Sequence, residues 1–115
     1  MGLPGADQAE ISEEKIVQYL LSSTHPRGRS KAEFFGKHGF TMNNWRALAE
    51  ALRRHAAENA VASVRHTPYG TRYVVDGAMA APDGTTLNVR SVWFISETTS
   101  VPRFTTAHPL KRKSP

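Results

Sequence analysis

Val61-Ala62-Ser63-Val64-Arg65-His66-Thr67-Pro68-Tyr69-Gly70-Thr71-Arg72-Tyr73-Val74-Val75 decides the fold, because here the apolar spacing changes from helical to strand-like. Two runs rich in β-branched and aromatic residues flank Thr67-Pro68-Tyr69-Gly70, a turn with proline at a favoured position. The pattern predicts a hairpin of strands 61–67 and 71–75. Asp76 to Ala81 continues or bends the second strand around Gly77, with Asp76 read as a turn residue, and Pro82-Asp83-Gly84 marks the next turn. A third strand follows over 85–96, with Leu87, Val89, Ser91, Trp93 and Ile95 on one face and Asn88, Arg90, Val92 and Phe94 on the other. Apolar residues on both faces toward its end make it central. A fourth strand is expected over 101–108, with Pro102 and Pro109 marking its limits.

Upstream the spacing is helical. Ser12 is suited to cap a helix over 13–22, with Glu13 and Glu14 in its first turn and Ile11 stapled onto Ile16. Ile16, Val17, Leu20 and Leu21 form its apolar stripe. Ser30 and Glu33 read as a capping box for a second helix, which runs to His38 and stops at Gly39. Asn43 is the expected cap of a third helix over 44–58, with Trp45, Leu48, Ala49, Leu52 and Ala56 inward and Asn59 as its stop. Trp45 and Trp93 are expected to be core anchors between this helix and the sheet. Helices followed by strands predict an α+β architecture, three N-terminal helices packed on one face of a four-stranded antiparallel sheet with the other face partly open. Residues 1–10 are expected to be a disordered segment, 11–109 a single domain and 110–115 a basic tail.

The 115 residues suit one domain, and a 39% hydrophobic fraction suits a folded one. Fifteen Lys and Arg against 10 Asp and Glu leave a net charge of +5 and a pI near 10.0, which suits a polyanionic partner. The sequence contains no cysteine, so disulfides, thiolate metal sites and cysteine nucleophiles are excluded. No apolar run reaches a membrane span, and Met1 to Asp7 lack the pattern of a signal peptide. These features point to a cytoplasmic protein, or to an effector module delivered by another route.

No HExxH, Walker loop, GxGxxG or GxSxG pattern occurs, and carboxylates are few and scattered, so no metal or other cofactor is expected. His38 and His55 are read as surface or capping residues, whereas His25, His66 and His108 fall where an imidazole can serve as acid or base. Arg27, Arg29 and Lys31 flank the start of helix two and would attract an anion. Together with Arg72, Arg90, Arg103, Tyr69, Tyr73, Thr105 and Thr106 they suit a metal-independent ribonuclease. They equally suit a protein that only grips a phosphate backbone.

Tyr19-Leu20-Leu21, His25-Pro26-Arg27-Gly28, Lys31-Ala32-Glu33-Phe34-Phe35, Gly39-Phe40, Thr67-Pro68-Tyr69-Gly70-Thr71-Arg72-Tyr73, Val92-Trp93 and Thr106-Ala107-His108-Pro109 together resemble an uncharacterised bacterial domain family. The resemblance covers about residues 11 to 109. It implies small free-standing proteins, or C-terminal modules of larger toxin-like or phage-associated proteins, and no particular activity. In topology the chain is also similar to the barnase, EndoU, colicin and RelE toxin ribonucleases. That similarity implies RNA binding on the open sheet face, with Lys31 and Arg90 as phosphate-facing cations, His25 as base or acid and Thr106 as a further phosphate ligand. His108 stands where that family resemblance leads one to expect an aromatic, which suggests a packing or edge role. Arg27, Arg29, Arg72 and Arg103 would contact nucleic acid. The expected partner is RNA or a cognate antitoxin or immunity protein; the alternative is a non-catalytic protein- or polyanion-binding module.

Overall fold

The computed structural model describes residues 2–22 and 29–110. The described chain is α+β, with three helices and one antiparallel sheet of strand order β1-β2-β3-β4. Helix α1 comprises an α-turn, Glu13–Lys15, that opens into π geometry over Ile16–Leu20. Ser12 caps it as its residue type predicts, its hydroxyl accepting from the Lys15 amide at 3.2 Å. Helix α2 spans Arg29–Lys37, so Ser30 lies inside its first turn instead of capping it, and the cap position falls outside the described residues. Gly39 follows at φ 101°, the left-handed geometry that glycine accepts without strain.

Helix α3, Trp45–Glu58, is preceded by a single turn over Met42–Asn44. That turn is closed by Thr41 and Asn44, so Asn43 is not the cap. At the other end Asn59 does act as a stop, donating from Nδ2 to the His55 carbonyl at 2.9 Å and to that of Ala78 at 3.0 Å.

The strands are β1 Val61–Thr67, β2 Gly70–Ala80, β3 Thr86–Ser96 and β4 Arg103–Pro109. Asp76 is not a turn residue: it pairs with Arg90 in the middle of the β2–β3 ladder. The register assigns each residue a face. Val75, Met79, Leu87, Val89, Trp93, Phe104 and Ala107 enter one core with Ile16, Leu20, Phe35, Phe40, Leu48, Leu52 and Ala56 from the helices. Trp93 is fully buried, with Phe104 edge-on to it at 5.4 Å between ring centroids. Trp45 is only half-buried, with the Arg46 guanidinium 4.9 Å from its ring centroid. Helix α3 lies against β2 and β3, whereas α1 and α2 meet the edge strand β4.

Two further expectations are overturned. Residues 2–10 belong to the fold: Leu3 and Ala9 are buried, and Glu10 bridges to β4, its amide donating to the Pro102 carbonyl and its carbonyl accepting from the Phe104 amide. The Gly-Pro-Ala composition reflects tight turns there. His55 is neither a surface nor a capping residue. It is 1% exposed, with Nε2 at 2.8 Å from the Val89 carbonyl and 3.2 Å from that of Gly77, and Nδ1 at 2.9 Å from Ser91 Oγ. Two carbonyls require Nε2 to carry the proton, so Nδ1 accepts from the Ser91 hydroxyl. Ser91 Oγ in turn accepts from the Trp93 indole at 2.8 Å. Burial pushes the His55 imidazole below its ordinary pKa, partly opposed by the carbonyls of Val89 and Gly77 and the charge of Asp76.

Candidate functional site

The face opposite the core is organised in cross-strand rows. Asp76, Arg90 and His108 form one row across β2, β3 and β4; Val74, Val92 and Thr106 form the next; Arg72, Phe94 and Arg103 form a third. Val74 and Val92 are buried but stand outside the main core, an apolar floor between two polar rows.

A bulge puts Thr106 in this arrangement. Val92 pairs with Thr106 and Trp93 with Phe104, which leaves Thr105 as an extra residue on β4. Without it, Phe104 and Thr106 would share a face, because side chains alternate with period two. With it, Phe104 enters the core while Thr106 joins the charged face.

Arg90 is fixed by Asp76 through two parallel hydrogen bonds, Nε to Oδ1 at 2.7 Å and Nη2 to Oδ2 at 2.8 Å. These bonds hold the Asp76 carboxyl below its ordinary pKa and raise that of Arg90. His108, opposite Arg90, places Nδ1 3.1 Å from the Pro109 carbonyl.

At the β4 edge, Tyr19 of α1 reaches Thr106, its hydroxyl 3.1 Å from Oγ1. The Lys31 ammonium stands 5.2 Å from the Tyr19 ring centroid and that of Lys15 5.7 Å from it. Partial burial raises the Tyr19 pKa, but the hydrogen bonds from Thr106 and Lys31 and the charges of Lys31 and Lys15 outweigh it and lower the value overall. Tyr19 borders a groove of about 620 Å³ lined also by Ser12, Glu14, Lys15, Gln18, Thr105 and Thr106.

Of the residues singled out from sequence, Arg90 and Thr106 fall on one face, with Lys31 at its β4 edge beside Tyr19. Arg72 and Arg103 are exposed and flank Phe94 on the same face, and Arg103 Nε lies 3.8 Å from Glu10 Oε2. His66 does not join them: it pairs with Thr71 on β1, its Nδ1 3.2 Å from Thr71 Oγ1. His25 and Arg27 lie outside the described residues, as does the side chain of Arg29. Sequence reasoning missed two participants. Asp76 was legible, since a hairpin folded about Pro82-Asp83-Gly84 sets it opposite Arg90. The pairing of Tyr19 with Thr106, 87 positions apart, had no local signal. Among the described residues no group of three or more His, Asp or Glu side chains is placed to hold a metal ion, and no helix is long and apolar enough to cross a membrane.

The chain belongs to a family described as a domain of unknown function, DUF6883, whose model matches residues 2–111. Its fold is similar to that of a chain from a contact-dependent growth inhibition toxin–immunity protein complex of Klebsiella pneumoniae 342. The TM-score is 0.68 at 19% identity, over 87% of this chain and 98% of that chain. No curated protein matches the sequence.

Proposed function

We propose that this member of the DUF6883 family is a toxin-like domain that cleaves RNA without a metal ion on the sheet face bearing Arg90 and Thr106. The observation that carries the reading is the row Asp76–Arg90–His108 beside a Thr106 hydroxyl held by Tyr19, with Lys31 at the same edge. In this reading the three helices cover the opposite face and leave this one to the substrate. The fold likeness to a chain of a toxin–immunity complex favours a toxin-like role, although a fold alone fixes no activity.

The chemistry needs three things. An imidazole, His108 or His25, takes the proton from a ribose 2′-hydroxyl, whose oxygen then attacks the adjacent phosphorus. Arg90 and Lys31 offset the charge that builds on the phosphate oxygens, with the Thr106 hydroxyl beside them, hydrogen-bonded to that of Tyr19. The bond to the 5′-oxygen breaks as that oxygen gains a proton, leaving a 2′,3′-cyclic phosphate and a 5′-hydroxyl. A cell that makes such a protein must hold it inactive, so an immunity or antitoxin protein covering this face is the expected partner.

The test is incubation with total bacterial RNA in EDTA, with Lys31→Ala, His25→Ala and His108→Ala in parallel and circular dichroism to check folding. Cleavage that survives EDTA and disappears in folded Lys31→Ala supports the reading. Absence of cleavage of any RNA, with or without magnesium, would favour the non-catalytic polyanion- or protein-binding module that the same basic face also suits.

A further inference from the structure

We propose that Tyr19 is a catalytic residue, the general acid that protonates the departing 5′-oxygen of a phosphodiester seated against Thr106 and Arg90. The inference rests on the ribonuclease reading and supplies the proton donor that reading leaves open.

The placement is the argument. The Tyr19 hydroxyl meets the charged sheet face at Thr106 Oγ1, 3.1 Å away. It does so from a helical segment in π geometry, a form found mostly as single turns and frequently at functional sites. The groove that Tyr19 borders is lined also by Lys15, Gln18 and Thr105, and about 620 Å³ is room for a sugar and its phosphate. The charged groups around the phenol are Lys15 and Glu14 from its own helix and Lys31 from α2. On the sheet, His108 lies two residues beyond Thr106, with Arg90 and Asp76 across from it.

Two residues of extended strand span about 7 Å. An imidazole at His108 and a phenol at Thr106 therefore stand apart along β4, as a base and an acid on opposite sides of one phosphorus must. When the 5′-oxygen takes the phenolic proton, the P–O5′ bond breaks and an O5′–H bond forms. The phenolate left behind lies beside two ammonium groups and accepts the Thr106 hydroxyl hydrogen. The 2′-hydroxyl proton has meanwhile passed to the imidazole, and exchange with water returns both groups to their starting states.

The distinguishing measurement uses an RNA fragment whose cleaved bond has been mapped with the wild-type protein. It is made in three forms: unmodified; with sulfur replacing the 5′-bridging oxygen at that bond, so that the leaving group needs no proton; and with a 2′-deoxy sugar there, which binds but cannot react. Tyr19→Phe should slow cleavage of the unmodified RNA by about 100-fold, within the usual range for loss of a general acid. It should cleave the sulfur-bridged RNA at close to the wild-type rate and bind the 2′-deoxy RNA within about twofold of wild type. Thr106→Val, which takes away the hydroxyl partner alone, should move the alkaline limb of the pH–rate profile upward, because that hydrogen bond lowers the Tyr19 pKa. Unmodified RNA cleaved by Tyr19→Phe at the wild-type rate, or equal losses on both cleavable substrates, overturns the assignment and leaves the ribonuclease reading standing. A wild-type protein that cleaves no RNA overturns both.

Discussion

Asp76 and Arg90 face each other across β2 and β3, and the guanidinium donates two hydrogen bonds to the carboxylate at 2.7 and 2.8 Å. A lysine at 90 keeps the charge and loses this two-pronged geometry. Asp76→Asn is expected to cost about 1 kcal/mol, the scale for a partly exposed pair. The Asp76 pKa is lowered in the fold by Arg90, so its contribution is present above the ordinary carboxylate value of about 3.9 and is lost as pH falls through the folded value. Urea unfolding at several pH values should show wild type and Asp76→Asn converging in strong acid.

His55 is held neutral among Ser91, Val89 and Gly77. His55→Ala leaves a cavity and strands the Ser91 hydroxyl, so a loss of about 3 kcal/mol is expected. Because burial lowers the folded pKa, the unfolded chain binds the proton more readily, and stability falls as pH drops below about 6.5. The advantage of wild type over His55→Ala should therefore shrink between neutral pH and pH 5. An advantage that grows on acidification would mean that His55 is charged in the fold.

Gly77 lies under the amide of Asn59, and a Cβ added there would overlap that side chain. Asn59 cannot swing away without giving up its bonds to the carbonyls of His55 and Ala78. Gly77→Ala is expected to destabilise by about 2 kcal/mol. Adding Asn59→Gly should recover part of that loss, which thermal melts of the two single variants and the double variant would read as coupling.

Deleting Thr105 removes the bulge on β4. A one-residue slip sends every side chain beyond it to the other face, so either Phe104 leaves Trp93 or Thr106 and His108 turn inward. The deletion should abolish the cooperative melt, whereas Thr105→Ala, which keeps the residue count, should shift it by only a few degrees.

Leu3 is 5% exposed and belongs to the core. Leu3→Ala should cost about 2 kcal/mol, the low end for a buried leucine, and a chain starting at residue 11 should melt well below the full one. Equal melting temperatures would show that the N-terminal segment adds nothing to the fold.

Much of the fold is legible before any coordinates. The change of period near residue 60, the turns at Pro68 and Pro82, the Ser12 cap and the Gly39 stop are local chemistry, and local chemistry specifies element type. The alternation in β3 likewise separates Leu87, Val89, Ser91 and Trp93 from Asn88, Arg90 and Val92. His55 was misread because a histidine between Arg54 and Ala56 looks like part of a polar face. Its partners are strand carbonyls and a serine more than 20 positions away.

By itself the sequence determined the order of elements, the hairpins and the basic character of the chain, because each depends on residues within a few positions of one another. Tertiary structure alone decided the site. It aligned Arg90 with His108 through strand register, turned Thr106 away from Phe104 through one unpaired residue, and brought Tyr19 and Lys31 to the β4 edge. Side-chain direction in a sheet has period two, so one inserted residue reverses it. Which residue a ladder leaves unpaired depends on how Trp93 and Phe104 fill the core, which no local pattern encodes.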